Sequence, residues 1–330
     1  MPTRRHVLTL GAAVLSAPVS ASCPAFAQSR YPDRPIRLVI PYPPGGVNDA
    51  IGRPWAEKMK SSLGTVVVEN LGGGGGTVGA SAVVRAQPDG YTILLANNSI
   101  LVVNPIATTR KIYDPIKDFE PIALLIVNCL AFAVHPSLPV GTLQELIDYA
   151  KNNPGKLSYG SAGIGTGNHL TAELFKSLTG TADIVHVPYR GAGPAISDLI
   201  GGQIPMAVAV VTGQVIGLHA SGKLRMLAVT GERRLVAAPD VPTAVEAGVP
   251  GMVSQGFQSL FAPVGTPLPI IEQISRATRA AMADDDMQRL MIASGFEPQR
   301  DTDPEKTRRF VAAEIARWAP IIKGIGLKLD

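Results

Sequence analysis

The chain has 330 residues, with 30 Lys+Arg against 26 Asp+Glu, and is 46% hydrophobic and 17% charged, which excludes a disordered or collagen-like polymer and fits about two folded domains. A net charge of +4, with no basic run interleaved with aromatics, excludes a nucleic-acid footprint. Two cysteines, Cys23 and Cys129, build neither a disulfide framework nor a thiolate metal site.

Residues 1–27 read as a cleaved export signal. Arg4 and Arg5 form the positive start, 7–19 an apolar stretch broken only by Thr, Ser, Gly and Pro, and Ala25-Phe26-Ala27 the cleavage pattern, with the cut before Gln28. A membrane anchor needs roughly 20 uninterrupted apolar residues, so a soluble exported protein is expected. Thr3-Arg4-Arg5-His6-Val7-Leu8 also fits a twin-arginine signal, which leaves the export route open. Lipidation of Cys23 is disfavoured, because the pattern before it has no Leu at its start. Loss of Arg4 and Arg5 leaves 28 basic against 26 acidic residues. An anion would then be held by local backbone dipoles or a few placed side chains.

The mature chain alternates short β-rich runs with helical patterns. Strands are expected at 36–40, 65–69, 91–96, 122–127, 130–134, 157–160, 184–187, 204–210, 224–229 and 257–262. Helices are expected at 143–152, opened by the Thr142/Glu145 capping box, and at 169–178, 195–201, 269–283 and 304–324. This alternation predicts an α/β fold with largely parallel sheets. No linker separates two domains, so the chain must cross between them, near 128–135 and 255–263. The expected domains are 28–129 with 255–330, and an inserted 130–254, with a cleft between them.

Three glycine-rich turns follow strands. Pro41-Tyr42-Pro43-Pro44-Gly45-Gly46-Val47-Asn48-Asp49 leads into a helix whose N–H groups favour an anion, or is a plain turn with Asp49 as N-cap. Pro54 sits about a turn inside that helix, where it removes a hydrogen bond. The run 72–76 with Gly79 formally matches a dinucleotide fingerprint, but the acidic residue at a suitable distance, Asp89, lies in a Pro88-Asp89-Gly90 turn, and no Lys-Ser/Thr follows; the loop reads as a flexible cleft wall. The third turn, 158–169, offers small hydroxyls and free N–H groups suited to a carboxylate. Ser161 is not in a nucleophile elbow, since Tyr159 stands where that motif needs Gly. His135, His169, His186 and His219 show neither an acidic orienting partner nor metal-ligand spacing. Arg190, in the turn after His186-Val187-Pro188-Tyr189, is either a surface charge or a group reaching a carboxylate across the cleft.

Ordered pieces along the whole mature chain carry a resemblance: Tyr31-Pro32-x-Arg34-Pro35-Ile36-Arg37, Pro43-Pro44-Gly45-Gly46 with Asp49, Val68-Glu69-Asn70, Pro88-Asp89-Gly90-Tyr91-Thr92, Gly155-Lys156-Leu157-Ser158-Tyr159, His169-Leu170, His186-Val187-Pro188-Tyr189, Lys223-Leu224-Arg225 with Leu227-Ala228-Val229-Thr230, Pro239-Asp240-Val241-Pro242-Thr243 with Glu246-Ala247-Gly248, and Pro263-x-Gly265-Thr266-Pro267. Together they resemble the substrate-binding proteins of tripartite tricarboxylate transporters, the Bug family. The resemblance implies a periplasmic type II binding-protein fold that closes around a small organic carboxylate and delivers it to an ion-driven permease of one large and one small membrane subunit. It implies no cofactor, no metal and no catalysis, and a monomer is expected. The implied ligand-binding set is Pro44, Gly45, Gly46, Val47, Asn48 and Asp49 from the first loop, with Ser99, and Ser161, Ala162, Gly163, Gly165, Thr166 and His169 from the second, joined by Arg190. Many relatives carry Asp or Asn facing the ligand within the segment 202–211, which here is apolar after Gln203. A ligand ammonium would lose a partner there, so a carboxylate without an amino group, dicarboxylic or aromatic, is expected. The competing readings are an exported α/β hydrolase or isomerase, and a ligand-loaded partner of a membrane sensor.

Overall fold

A computed structural model of the chain describes residues 31–329; the expected export signal, its cleavage site and Cys23 lie outside the described residues. In chain order the first elements are β1 (Ile36–Ile40), α1 (Val47–Leu63), β2 (Val66–Asn70), a short turn of 3-10 helix (Gly74–Gly76), α2 (Thr77–Val84), β3 (Thr92–Asn97), a π-helical turn (Ser99–Val103), α3 (Asn104–Ala107) and β4 (Phe119–Val134). There follow α4 (Leu143–Asn152), β5 (Ser158–Ser161), α5 (Gly167–Thr179), β6 (Val185–Pro188), α6 (Ala192–Ile200), β7 (Met206–Val210), α7 (Gly213–Ala220) and β8 (Arg225–Val229). The chain ends with β9 (Gln255–Pro263), α8 (Leu268–Ala283), α9 (Asp285–Ala293), β10 (Glu297–Pro298) and α10 (Pro304–Gly324).

The strands join in the order β2-β1-β3-β9-β4-β7-β5-β6, with β8 and β10 also pairing β4, in a ten-stranded sheet. The largely parallel sheet expected from the strand-helix alternation is instead mixed. β1 pairs β2 and β3 in parallel, and β5 pairs β6 and β7 in parallel, but every pairing of β4 and β9 is antiparallel. The reason is that β4 and β9 are return strands running against the βα units on either side of them.

β4 replaces two expected strands with one of 16 residues. Asn128 interrupts the apolar run and so looks like a strand end, yet it stays in the strand and is only 5% exposed. From Phe119 to Cys129 the strand pairs with β9, and from Leu130 to Val134 with β7. Apolar cores lie around both parts: Val39, Leu94, Phe119 and Phe261 pack in one, Phe132, Tyr159, Phe175 and Met252 in another. From Pro32 on, the described residues nonetheless hold together as one compact unit.

α4 and α10 begin and end where their patterns place them. Thr142 Oγ1 accepts from Glu145 N at 3.1 Å, and the Asp303 side chain caps α10 at Lys306 N. α1 contains Pro54 without ending. Ala50, whose carbonyl loses its partner to that proline, is exposed, so water can replace the missing bond. α2, α3, α7 and α9 were not anticipated from the sequence. α7 carries two glycines in eight residues, and α9 is opened by Asp284, whose carboxylate accepts from Met287 N at 3.1 Å.

Candidate functional site

α1 starts at Val47 behind Gly46, which has no side chain to cap it, and α5 at Gly167 behind Thr166, whose side chain does not bond the free N–H groups of its helix. Thr166 Oγ1 instead donates to Gly163 O at 2.7 Å. Uncapped N–H groups at the positive end of a helix dipole favour an anion. Val47 and Asn48 from one helix start, and Thr166, Gly167 and Asn168 from the other, line the same cavity of about 210 Å³.

The cavity floor is built by β3, β9 and β4, with the π-helical turn at its side. Asn97 and Gln258 are register partners on β3 and β9, and Asn128 lies opposite Gly256 on β4. Asn97 Oδ1 accepts from Tyr42 Oη at 3.0 Å, which leaves its NH2 group for a ligand. Asn98 is consumed by β9, donating to Gln255 O at 3.1 Å and accepting from Phe257 N at 2.8 Å. Asn168 donates to Val208 O at 2.7 Å, so its carbonyl oxygen remains. Asn48 Nδ2, Asn128 Oδ1 and Gln258 Oε1 are buried and have no hydrogen-bond partner. Apolar walls come from Val102, Leu130, Leu170, Val210 and Trp318. Among the described residues, no Asp, Glu, Lys, Arg or His lines this cavity. A neighbouring cavity of about 300 Å³ shares Val47, Ala162, Asn168 and Val210 and is otherwise walled largely by apolar groups such as Ile196, Ala209 and Val215.

A small cavity with neutral donors beneath two helix starts suits an organic anion. A model described as tripartite tricarboxylate transporter family receptor matches residues 51–327. The chain belongs to that receptor family. It is 35% identical to protein BugT of Bordetella pertussis over 322 residues, covering 97% of this chain and 96% of that one. The solved structure of R. palustris Rpa4515 with adipate is 33% identical with a TM-score of 0.79, over 90% of this chain and 99% of the other. The periplasmic binding protein BugD is 34% identical with a TM-score of 0.76, over 90% and 99% of the two chains. The α/β architecture is thus the periplasmic-binding-protein fold.

In this receptor the expected site residues divide into two groups. Val47, Asn48, Ser99, Ala162 and Thr166 line the cavity. Pro44, Gly45, Gly46, Asp49, Ser161, Gly163, Gly165, His169 and Arg190 do not. Asp49 shapes the first loop from beneath: it is 5% exposed, accepts from Gly45 N and from Asn70 Nδ2, and pairs with Arg53 at 3.1 Å. Gly45 stands at φ +88°, where a side chain would be strained. Arg190 is exposed.

The second loop is held by stacked rings. His186 stacks on His169 at 4.3 Å and on Tyr159 at 4.8 Å between centroids. His186 Nε2 and Ser161 Oγ are 2.7 Å apart, Gly163 N donates to Ser161 Oγ at 3.1 Å, and Gly165 N donates to His169 Nδ1 at 3.2 Å. Each end of the loop is therefore tied to a histidine. Burial, followed by the neighbouring His169, pushes His186 down to about 4, and burial also lowers His169. Tyr159 Oη donates to Glu173 at 2.9 Å, and burial raises its pKa.

The five-glycine run is no wall of this cavity. Asn104 Nδ2 donates to Gly75 O at 3.0 Å and pins it, while Gly73, Gly74, Gly75 and Gly76 all take positive φ. Sequence reasoning missed Asn97, Asn128, Asn168, Gln258 and Trp318. The one available signal was a polar residue inside an apolar strand, as at Asn128 and Gln258; Trp318 looked like any packing residue of an amphipathic helix.

Proposed function

We propose that this receptor captures a small organic carboxylate without an amino group in the periplasm and delivers it to a membrane permease of one large and one small subunit. The observation that carries the reading is the convergence of the unsatisfied N-termini of α1 and α5 on one cavity without charged side chains. Backbone dipoles and side-chain amides then hold the carboxylate, which suits a chain whose own charge is nearly balanced. Adipate in the related Rpa4515 structure supports a carboxylate. Val210, from the apolar segment 202–211, lines the cavity and offers an ammonium nothing, in support of a dicarboxylate or aromatic carboxylate. Ligand capture works through two lobes, 28–129 with 255–330 and 130–254, which share β4 and close on the cleft.

A hydrolase reading draws on the 2.7 Å contact between Ser161 and His186. Ser161 is 1% exposed and outside the cavity walls, and its oxygen already accepts from Gly163 N. The pair serves as a loop clamp, and the protein is a receptor without catalysis.

The test is a thermal-shift screen of the purified protein against dicarboxylates, tricarboxylates, aromatic carboxylates and amino acids. A ligand at a hundredfold excess over Kd adds about 2.7 kcal/mol to the native state. Stabilisation by one carboxylate class is expected. Stabilisation by amino acids alone would refute the exclusion of an ammonium, and absence of any carboxylate effect would refute the carboxylate reading. Delivery is checked by uptake of the bound acid in cells with and without the permease.

A further inference from the structure

The second loop turns on a buried backbone donor. Gly165 is buried and stands at φ +77°, and Leu329 packs over it: a Cβ there would come within 2.9 Å of Leu329 Cδ2. Gly165 N donates to His169 Nδ1 at 3.2 Å. A ring nitrogen that accepts carries no proton, so this contact puts the ring proton of His169 on Nε2 and keeps the imidazole neutral. His169 is the third residue of α5, the position from which a Glu or Gln side chain in a capping box reaches back to the N-cap N–H. Here the side chain reaches one residue further, to Gly165, while the N-cap Thr166 turns its own hydroxyl to Gly163 O at 2.7 Å. The loop is thus fastened without using the N–H groups at the start of α5, beside the cavity that Thr166, Gly167 and Asn168 line. A glutamate at this position would fasten the loop too, but would set a negative charge behind an anion site.

The groups around the ring keep it uncharged. Burial is the largest influence and lowers the His169 pKa. His186 of β6 stacks on the ring at 4.3 Å, so a proton on either imidazole opposes one on the other. Glu173 and Lys176, on α5 itself, act in opposite senses, and Glu173 is engaged by Lys176 at 3.0 Å and by Tyr159 Oη of β5 at 2.9 Å. The segment after α10 meets Gly165 through the apolar side chains of Leu327 and Leu329. On the carboxylate-receptor reading, on which this step rests, we infer that His169 is a positioning residue for ligand binding: its unprotonated Nδ1 holds Gly165 N and so aims the free N–H groups of α5 into the cavity. A proton on Nδ1 removes the acceptor, leaves a buried N–H unpaired and releases the loop. Affinity is therefore complete above the ordinary histidine range and falls as pH drops below it. A histidine that met the anion directly as a cation would do the reverse.

The experiment is isothermal titration of wild type, His169→Asn and His169→Leu with adipate and with benzoate between pH 7.5 and pH 5.0. Asparagine places a carbonyl oxygen near the position of Nδ1 and does not titrate. At pH 7.5 His169→Leu should bind at least about tenfold more weakly than wild type, and His169→Asn should stay within about threefold of it, because only the asparagine leaves the buried N–H an acceptor. Between pH 7.5 and pH 5.0 the affinity of wild type relative to His169→Asn should fall at least about threefold, the protonation of the acid itself cancelling in the ratio. A packing role alone would leave that ratio unchanged. Undiminished binding by His169→Leu, or a flat ratio, would overturn the positioning role and leave the carboxylate reading intact; a ratio that rises in acid would overturn it in favour of direct charge contact. If neither acid binds wild type, the carboxylate reading fails and the positioning role with it. Should a variant not fold, nitrogen NMR spectra of the wild-type histidine rings decide: His169 must be protonated on Nε2 at pH 7.5, with a titration midpoint that drops when acid is bound, and a ring protonated on Nδ1 or a midpoint that does not drop overturns the assignment.

Discussion

Acidification should loosen the protein through the ring stack behind the second cavity loop. His186 is pushed from 6.5 to about 4, mainly by burial and next by His169, with Glu173 and Lys176 making smaller, opposed contributions. A folded-state pKa below the unfolded one means that the unfolded chain binds more protons between about 4 and 6.5. Stability is therefore complete above that window and is lost as pH falls through it, with nothing further lost from this ring below about 4. At about 1.4 kcal/mol per pH unit the loss is capped near 3 kcal/mol, and screening of the partly exposed ring reduces it to about 1–2 kcal/mol. The assay is urea unfolding of wild type and His186→Gln between pH 7.5 and pH 4.5. Glutamine can still bond Ser161 but does not titrate, so the acid-induced loss should shrink by about 1–2 kcal/mol in the variant. Carboxylates titrating elsewhere affect both proteins alike and cancel in the difference. Parallel pH profiles for the two proteins, or a wild type that gains stability on acidification, would refute the reasoning.

Asp49→Ala removes the acceptor for Gly45 N and Asn70 Nδ2 and the partner of Arg53; a loss of about 2–3 kcal/mol in urea unfolding is expected, with weaker carboxylate binding because the loop before α1 loses its anchor. Trp318 lines the cavity, whereas Trp55 is fully buried with its Nε1 donating to Thr278 at 3.2 Å. Ligand binding should therefore change the emission of wild type and of Trp55→Phe, and Trp318→Phe should lose the response. Cys129 is 1% exposed, and burial, aided by the Glu297 charge, pushes its thiol up to about 12; a colorimetric thiol reagent at pH 8 should label it only after unfolding.

Much of the architecture was legible because it depends on local rules. Alternating apolar runs and helical spacing located most strands and helices, and the Thr142/Glu145 box opened α4 at Leu143 as expected. The strand-to-helix turns at 41–49 and 158–169 announced where backbone N–H groups would be free, because glycine-rich entry to a helix is a local feature. The sheet's sense was not legible: strand-helix alternation suggested parallel pairing, but the direction of β4 and β9 depends on which distant strands they meet. Nor was the division of labour within the first loop, where Asp49 proved to be buried under the turn while Val47 and Asn48 face the cavity. The sequence by itself determined the alternation of elements, the two anion-ready turns and the near-neutral charge that leaves binding to dipoles. Only the tertiary structure decided that those two turns meet, and that Asn97, Gln258 and Asn128, up to 161 residues apart by their numbers in the chain, form one floor. The physical reason is that pairing across β3, β9 and β4 is set by long-range register, and no local pattern records which buried amide will lack a partner.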